Sequence, residues 1–125
     1  MIGITQYLQA VYEDLQTYVD NDVCLCKLKE LNFEAGALPD YEDINIQQLY
    51  LLRYAFAYAF EYSRMYLNVL SKMDDANSIS VTSVGCGSMI DYWALVHALE
   101  MKSKIDCNIR YVGIDEIDWN YKIPQ

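Results

Sequence analysis

The chain is short of the residues that most often mark a metalloprotein, a membrane protein or a nucleic-acid binder. It has a single histidine, His97, and its four cysteines (Cys24, Cys26, Cys86 and Cys107) form no C-x-x-C pair. Zinc sites need tighter clustering of nitrogen and sulfur ligands than this, so no metal centre is expected. The cysteines read as small buried thiols. Positive charge is scarce too: nine Lys and Arg stand against eighteen Asp and Glu, for a net charge of −9. The deficit concentrates in residues 1–50, which hold nine acidic and two basic side chains. An acidic chain repels phosphate backbones, which argues against nucleic acid as a partner. No apolar run reaches the roughly 20 residues of a membrane span. The N-terminus lacks the basic start and unbroken apolar core of a signal peptide. A cytoplasmic protein with no membrane partner is the expectation.

What is present is enough for a packed core. The chain has 125 residues, 54% of them hydrophobic, close to the commonest size of one domain. Leu8, Val11, Leu15 and Tyr18 with Val19 recur at helical steps and predict a first helix capped at Thr5. Asp22 to Leu31 reads as a short second helix or a strand, and Asn32 to Asp43, with Gly36 and Pro39, as a loop. Asn45 with Gln48 has the spacing of a capping box and opens a long helix to about Lys72. Along it Tyr50, Tyr54, Tyr58, Tyr62 and Tyr66 fall every fourth residue, with Phe56 and Phe60 on an adjoining stripe. Each step of four lags the helical period by about 40°, so the row winds round the helix. It reads as aromatic packing or as one wall of a pocket, with Tyr58, Glu61 and Tyr62 as candidate substrate-pocket residues.

The most informative stretch follows. A β-branched run from Ile79 to Val84 ends in Gly85-Cys86-Gly87. Ser88 then caps a helix from Met89 to about Lys102, with Trp93, Leu95, Val96 and Leu99 on its buried face, Asp91 in its first turn and His97 in a structural place. A connector leads to a second strand, Ile109 to Asp115, that closes on a carboxylate, with Glu116, Asp118 and Trp119 just beyond. Strand, glycine turn, helix and acidic strand end are the parts of a nucleotide-binding β-α-β unit. The nicotinamide fingerprint fits poorly. Its third glycine falls on Ile90, and Asp115 lies 28 positions after Gly87, against about 20 in that fingerprint.

The string VTSVGCGSMID together with YVGIDEIDW resembles the first two motifs of Rossmann-like S-adenosylmethionine-dependent methyltransferases. The resemblance covers roughly Ile79 to Trp119. It departs from the family at Ser83, where many members are acidic, and at Met89, where a third glycine is usual. It implies an α/β fold: an N-terminal helical cap over residues 1–77, packed on a truncated Rossmann-like unit of two parallel strands over residues 78–125. It implies S-adenosylmethionine as cofactor, held by Gly85, Cys86, Gly87, Asp91, Ile114, Asp115 and Glu116. In that set the glycine loop passes under the cofactor, Asp115 takes the ribose hydroxyls, and Ile114 or Glu116 flanks the adenine. The acidic balance points to a small molecule or a protein as methyl acceptor. The alternative is a non-catalytic helical interaction module on a degenerate nucleotide-binding core.

Such methyltransferases have about seven strands, and only two are legible here, so the sequence reads as part of a longer enzyme, a truncated relative, or a protomer completed by another copy. The sequence does not discriminate among these, but two strands with free edges predict that the isolated chain self-associates as a homodimer. Both strands are apolar enough to be covered on both faces. The crossover helix would cover one face and the tyrosine helix the other.

Overall fold

The computed structural model describes residues 3–17, 26, 36, 38–73 and 77–123. In chain order these form α1 (Ile4–Gln16), α2 (Ile44–Lys72), β1 (Ser78–Val84), α3 (Ile90–Met101) and β2 (Asn108–Ile114). The two strands pair in parallel, with Ile79 opposite Ile109, Val81 opposite Tyr111 and Val84 opposite Ile114. A mixed α/β fold is therefore present. The expected second element between Asp22 and Leu31 lies outside the described residues, apart from Cys26.

Local chemistry explains the boundaries. The α1 N-cap is Gly3, whose N–H donates to the Gln6 side chain, so the helix begins ahead of the expected Thr5. The α2 N-cap is Asp43, whose carboxylate accepts from the Asn45 N–H at 2.8 Å. Asn45 is the second residue of the helix and donates its side-chain amide to the Gln48 side chain, so the expected capping box is not formed. An aspartate N-cap satisfies a free N–H and places negative charge at the positive end of the helix. At α3 the expected Ser88 cap is replaced. Met89 is the N-cap, in the left-handed region at φ 64°, and makes no side-chain capping bond. The reason is that Ser88 is buried and its carbonyl accepts from the Ile123 N–H at 2.8 Å.

The helices stack on one side of the sheet. Leu8, Val11, Leu51, Ala55, Ala59, Leu70, Trp93, Ala94, Leu95, Ala98 and Leu99 form one buried cluster, against which Ile79, Val81 and Ile109 pack from the strands. The helical cap and the β-α-β unit thus share a core. The other face of the sheet carries Ser80, Thr82 and Val84 beside Arg110, Val112 and Ile114, all exposed. This corrects the expected sandwich: α2 packs on α1 and α3, and no described element covers the outer face. No described helix is long and apolar enough to cross a membrane.

Candidate functional site

Beyond β2 the chain folds back under the glycine turn, and two buried glutamines hold it there. The Gln47 amide donates to the Tyr41 carbonyl at 2.8 Å and accepts from the Asn120 N–H at 2.9 Å. Gln48 donates to the Tyr121 hydroxyl, which in turn donates to Asp14 at 3.1 Å. Tyr7 donates to the Tyr121 carbonyl at 2.7 Å. Both glutamines are fully buried, so each polar atom left unpaired there would cost about 1–3 kcal/mol. This web buries Trp119 and Ile123 and seats the Trp119 indole between Tyr41 and Tyr50, at 6.2 and 5.5 Å between ring centres.

A cleft of about 400 Å³ opens at the carboxyl ends of the strands, lined by Cys86, Gly87, Met89, Tyr111, Gly113, Asp115, Glu116, Ile117, Asp118 and Lys122. Asp115 organises it. One carboxylate oxygen accepts from the Gly87 N–H at 2.7 Å and the other from the Ile117 N–H at 2.9 Å. The end of β2 is thereby bonded to the turn after β1. The turn also extends the strand pairing, since the N–H groups of Gly85 and Cys86 both donate to the Ile114 carbonyl, at 2.7 and 3.2 Å. Asp118 and Lys122 pair across the rim at 3.1 Å, where Asp118 is 97% exposed and the bond adds little stability. Three carboxylates against one ammonium leave the cleft negative.

The glycines do different work from that expected. Gly87 has φ 50°, and a Cβ there would stand 3.4 Å from the Trp119 indole. The close neighbour that its lack of a side chain accommodates is Trp119. Gly85 has φ 71° and faces open space. Gly113, which the sequence reading passed over, is the tightest: a Cβ would lie 2.8 Å from the Cys86 sulfur and 3.1 Å from the Tyr111 ring. A glycine inside a strand is the signal that marks such a close approach. Burial raises the Cys86 thiol, and the nearby Asp115 and Asp91 carboxylates raise it further. The protonated thiol is a poor nucleophile.

The expected cofactor residues divide. Cys86, Gly87, Asp115 and Glu116 line the cleft. Gly85 and Ile114 do not line it: they bond to each other, Gly85 N–H to Ile114 carbonyl, and the Ile114 side chain, 51% exposed, lies on the outer sheet face. Asp91 sits elsewhere. It is buried and accepts from the Tyr111 hydroxyl at 2.9 and 3.1 Å, and it borders a second cleft with Tyr62 and Tyr66. Ser83 hydrogen-bonds the same Tyr111 phenol. Tyr58 belongs to an aromatic ladder in which Tyr50, Tyr54, Tyr58 and Tyr62 follow one another at 5.2, 5.7 and 6.0 Å. Glu61 is exposed, on a surface shared with Phe60, Arg64, Met65 and Asn68, and lines neither cleft. His97 stacks on Trp93 at 4.9 Å. Cys26 is disulfide-bonded, against the expectation of four free thiols, whereas Cys86 and Cys107 are free. Comparison with protein families, curated proteins and solved structures found no match.

Proposed function

We propose that this chain is the cofactor-binding part of an S-adenosylmethionine-dependent methyltransferase acting on a small molecule or a protein. The observation that carries the reading is Asp115: a carboxylate at the end of the second parallel strand, bonded to the glycine turn of the first, lining an open cleft. The donor set fits the cofactor. A carboxylate has about four acceptor positions, and the two backbone bonds of Asp115 leave acceptor capacity toward ribose hydroxyls. The volume of about 400 Å³ lies in the range of small-ligand sites. The sign of charge also discriminates. Carboxylates of Asp115, Glu116 and Asp118 repel the pyrophosphate of a dinucleotide and attract a ligand whose sulfonium and ammonium are cationic. Asp115 would hold the ribose, Glu116 would border the base, and Cys86 and Gly87 of the turn would border the ligand. When bound, the cofactor supplies a methyl group made electrophilic by the sulfonium. The chain's own part is to position that group and exclude water.

Calorimetry with S-adenosylmethionine tests the reading. Asp115→Asn keeps one side-chain oxygen for the backbone but loses the charge. Charge-assisted bonds are worth about 1.5–3 kcal/mol each, which predicts at least a roughly tenfold loss of affinity. Asp118→Asn, on the exposed rim, should change affinity less than about threefold. Equal effects of the two substitutions, or no binding by the wild-type chain, would overturn it.

A second reading, the non-catalytic interaction module, is favoured by one observation. Phe56 and Phe60, 56% and 64% exposed, border an apolar groove of about 370 Å³ between α2 and α3. Absence of nucleoside binding would favour it.

A further inference from the structure

We infer that the second cleft, between α2 and the carboxyl end of β1, binds a small organic ammonium ion, with Asp91 as counter-charge and the Tyr62 and Tyr66 rings as walls. The cleft measures about 390 Å³ and is bordered by Tyr62, Met65, Tyr66, Ser83 and Asp91 among others. It shares no lining residue with the first cleft.

Asp91 is the reason for the assignment. It is only 8% exposed, and its two oxygens share a single hydroxyl donor, that of Tyr111. Among the described residues the ion pair present is Lys122 with Asp118, and no basic side chain pairs with Asp91. A buried carboxylate without a cation is costly, and such groups are normally paired or ligated. Its place in the first turn of α3 offsets part of that cost, because the helix N-terminus is positive. The remainder is an unbalanced negative charge bordering a cleft walled by aromatic rings.

Ring faces attract cations, and a carboxylate beside tyrosine rings is the chemistry that recognises alkylated ammonium groups. Burial and then the charge on Asp91 raise the phenol of Tyr62, and also that of Tyr66, which is pushed up to about 12, so both stay neutral hydroxyls beside it. The volume is far larger than a bare metal ion needs and suits a small organic molecule. Phosphates and carboxylates are excluded by the charge. The inference does not depend on the proposed cofactor: the two clefts share no lining residue and the probe carries no nucleoside, although Tyr111, which donates to Asp91, borders the first cleft.

The test is a titration of the ¹⁵N-labelled chain with tetramethylammonium chloride, followed by amide shifts. Tert-butanol serves as a neutral probe of similar shape and potassium chloride as the inorganic cation. Saturable shifts should appear around Tyr62, Tyr66, Thr82 and Asp91 with tetramethylammonium alone. Asp91→Asn, which can still accept the Tyr111 bond, should weaken binding roughly tenfold or more. Tyr62→Leu, which keeps the charge, should weaken it roughly threefold. Glu100→Gln, an exposed change on the same helix, should leave it unaltered. Should Asp91→Asn fail to fold, Tyr62→Leu decides alone. Equal response to tert-butanol or potassium, shifts that do not saturate, or binding untouched by both cleft substitutions would overturn the inference.

Discussion

Gly113 and Cys86 occupy one space between them, and that makes the strand-end turn sensitive to a single methyl group. A Cβ on Gly113 would sit 2.8 Å from the Cys86 sulfur. Overpacking of this kind costs about 1–3 kcal/mol. Gly113→Ala is therefore expected to destabilise the chain by that amount in denaturant unfolding. Cys86→Ala should relieve part of it, because the sulfur goes and the Tyr111 ring remains. A double-mutant cycle should show coupling; strictly additive effects would mean that the two residues do not share the space. The same logic revises Gly87. The motif made it legible as a residue that must be small, yet the close neighbour is Trp119, 32 positions on, and no spacing rule announces that. Asp115 was legible as the acidic strand end, whereas its bond to the Gly87 N–H emerges only once the strands pair in register.

At the scale of elements, the tyrosine row gives α2 a pH dependence. Burial raises the phenols of Tyr50 and Tyr62 above their ordinary value of 10.0, and Tyr66 to about 12. Tyr7 and Tyr111 are raised as well, again chiefly by burial. A folded-state value above the unfolded one means that the unfolded chain ionises first. Stability from these groups is fully present below about pH 10 and is lost as pH rises through the folded values. Unfolding free energy from urea titration should hold level up to about pH 9.5 and then fall steeply toward pH 12. A level profile through pH 11.5 would contradict the burial of Tyr50, Tyr62 and Tyr66. The long helix was readable from its apolar spacing, even though its cap falls on Asp43. The helix after the glycine turn was readable from its bounds more than from its face. Wedged between α2 and the sheet, α3 buries residues all round, including Ile90, Trp93, Ala94, Leu95 and Ala98, and so lacks a single apolar stripe. The segment after β2 was not legible, because Gln47 and Gln48 hold it through bonds across 73 positions of chain.

At the scale of the whole molecule, the described residues leave one face of the sheet uncovered. The outer face exposes Val84 at 82%, Ile114 at 51% and Val112 at 43%, and parallel sheets are rarely left bare in this way. We predict self-association through this face or a strand edge: static light scattering at micromolar concentration should give about twice the 14.5 kDa of one chain. A monomer that unfolds cooperatively would contradict it. The proposal that the cleft beside Asp115 holds the nucleoside of the cofactor is best tested by amide-shift mapping with S-adenosylhomocysteine, which has the nucleoside without the sulfonium charge. Saturable shifts are predicted at Gly85, Cys86 and Gly87 and at Asp115, Glu116 and Ile117, the two segments that the Asp115 carboxylate joins. No shifts, or shifts confined to the Phe56–Phe60 groove, would contradict it.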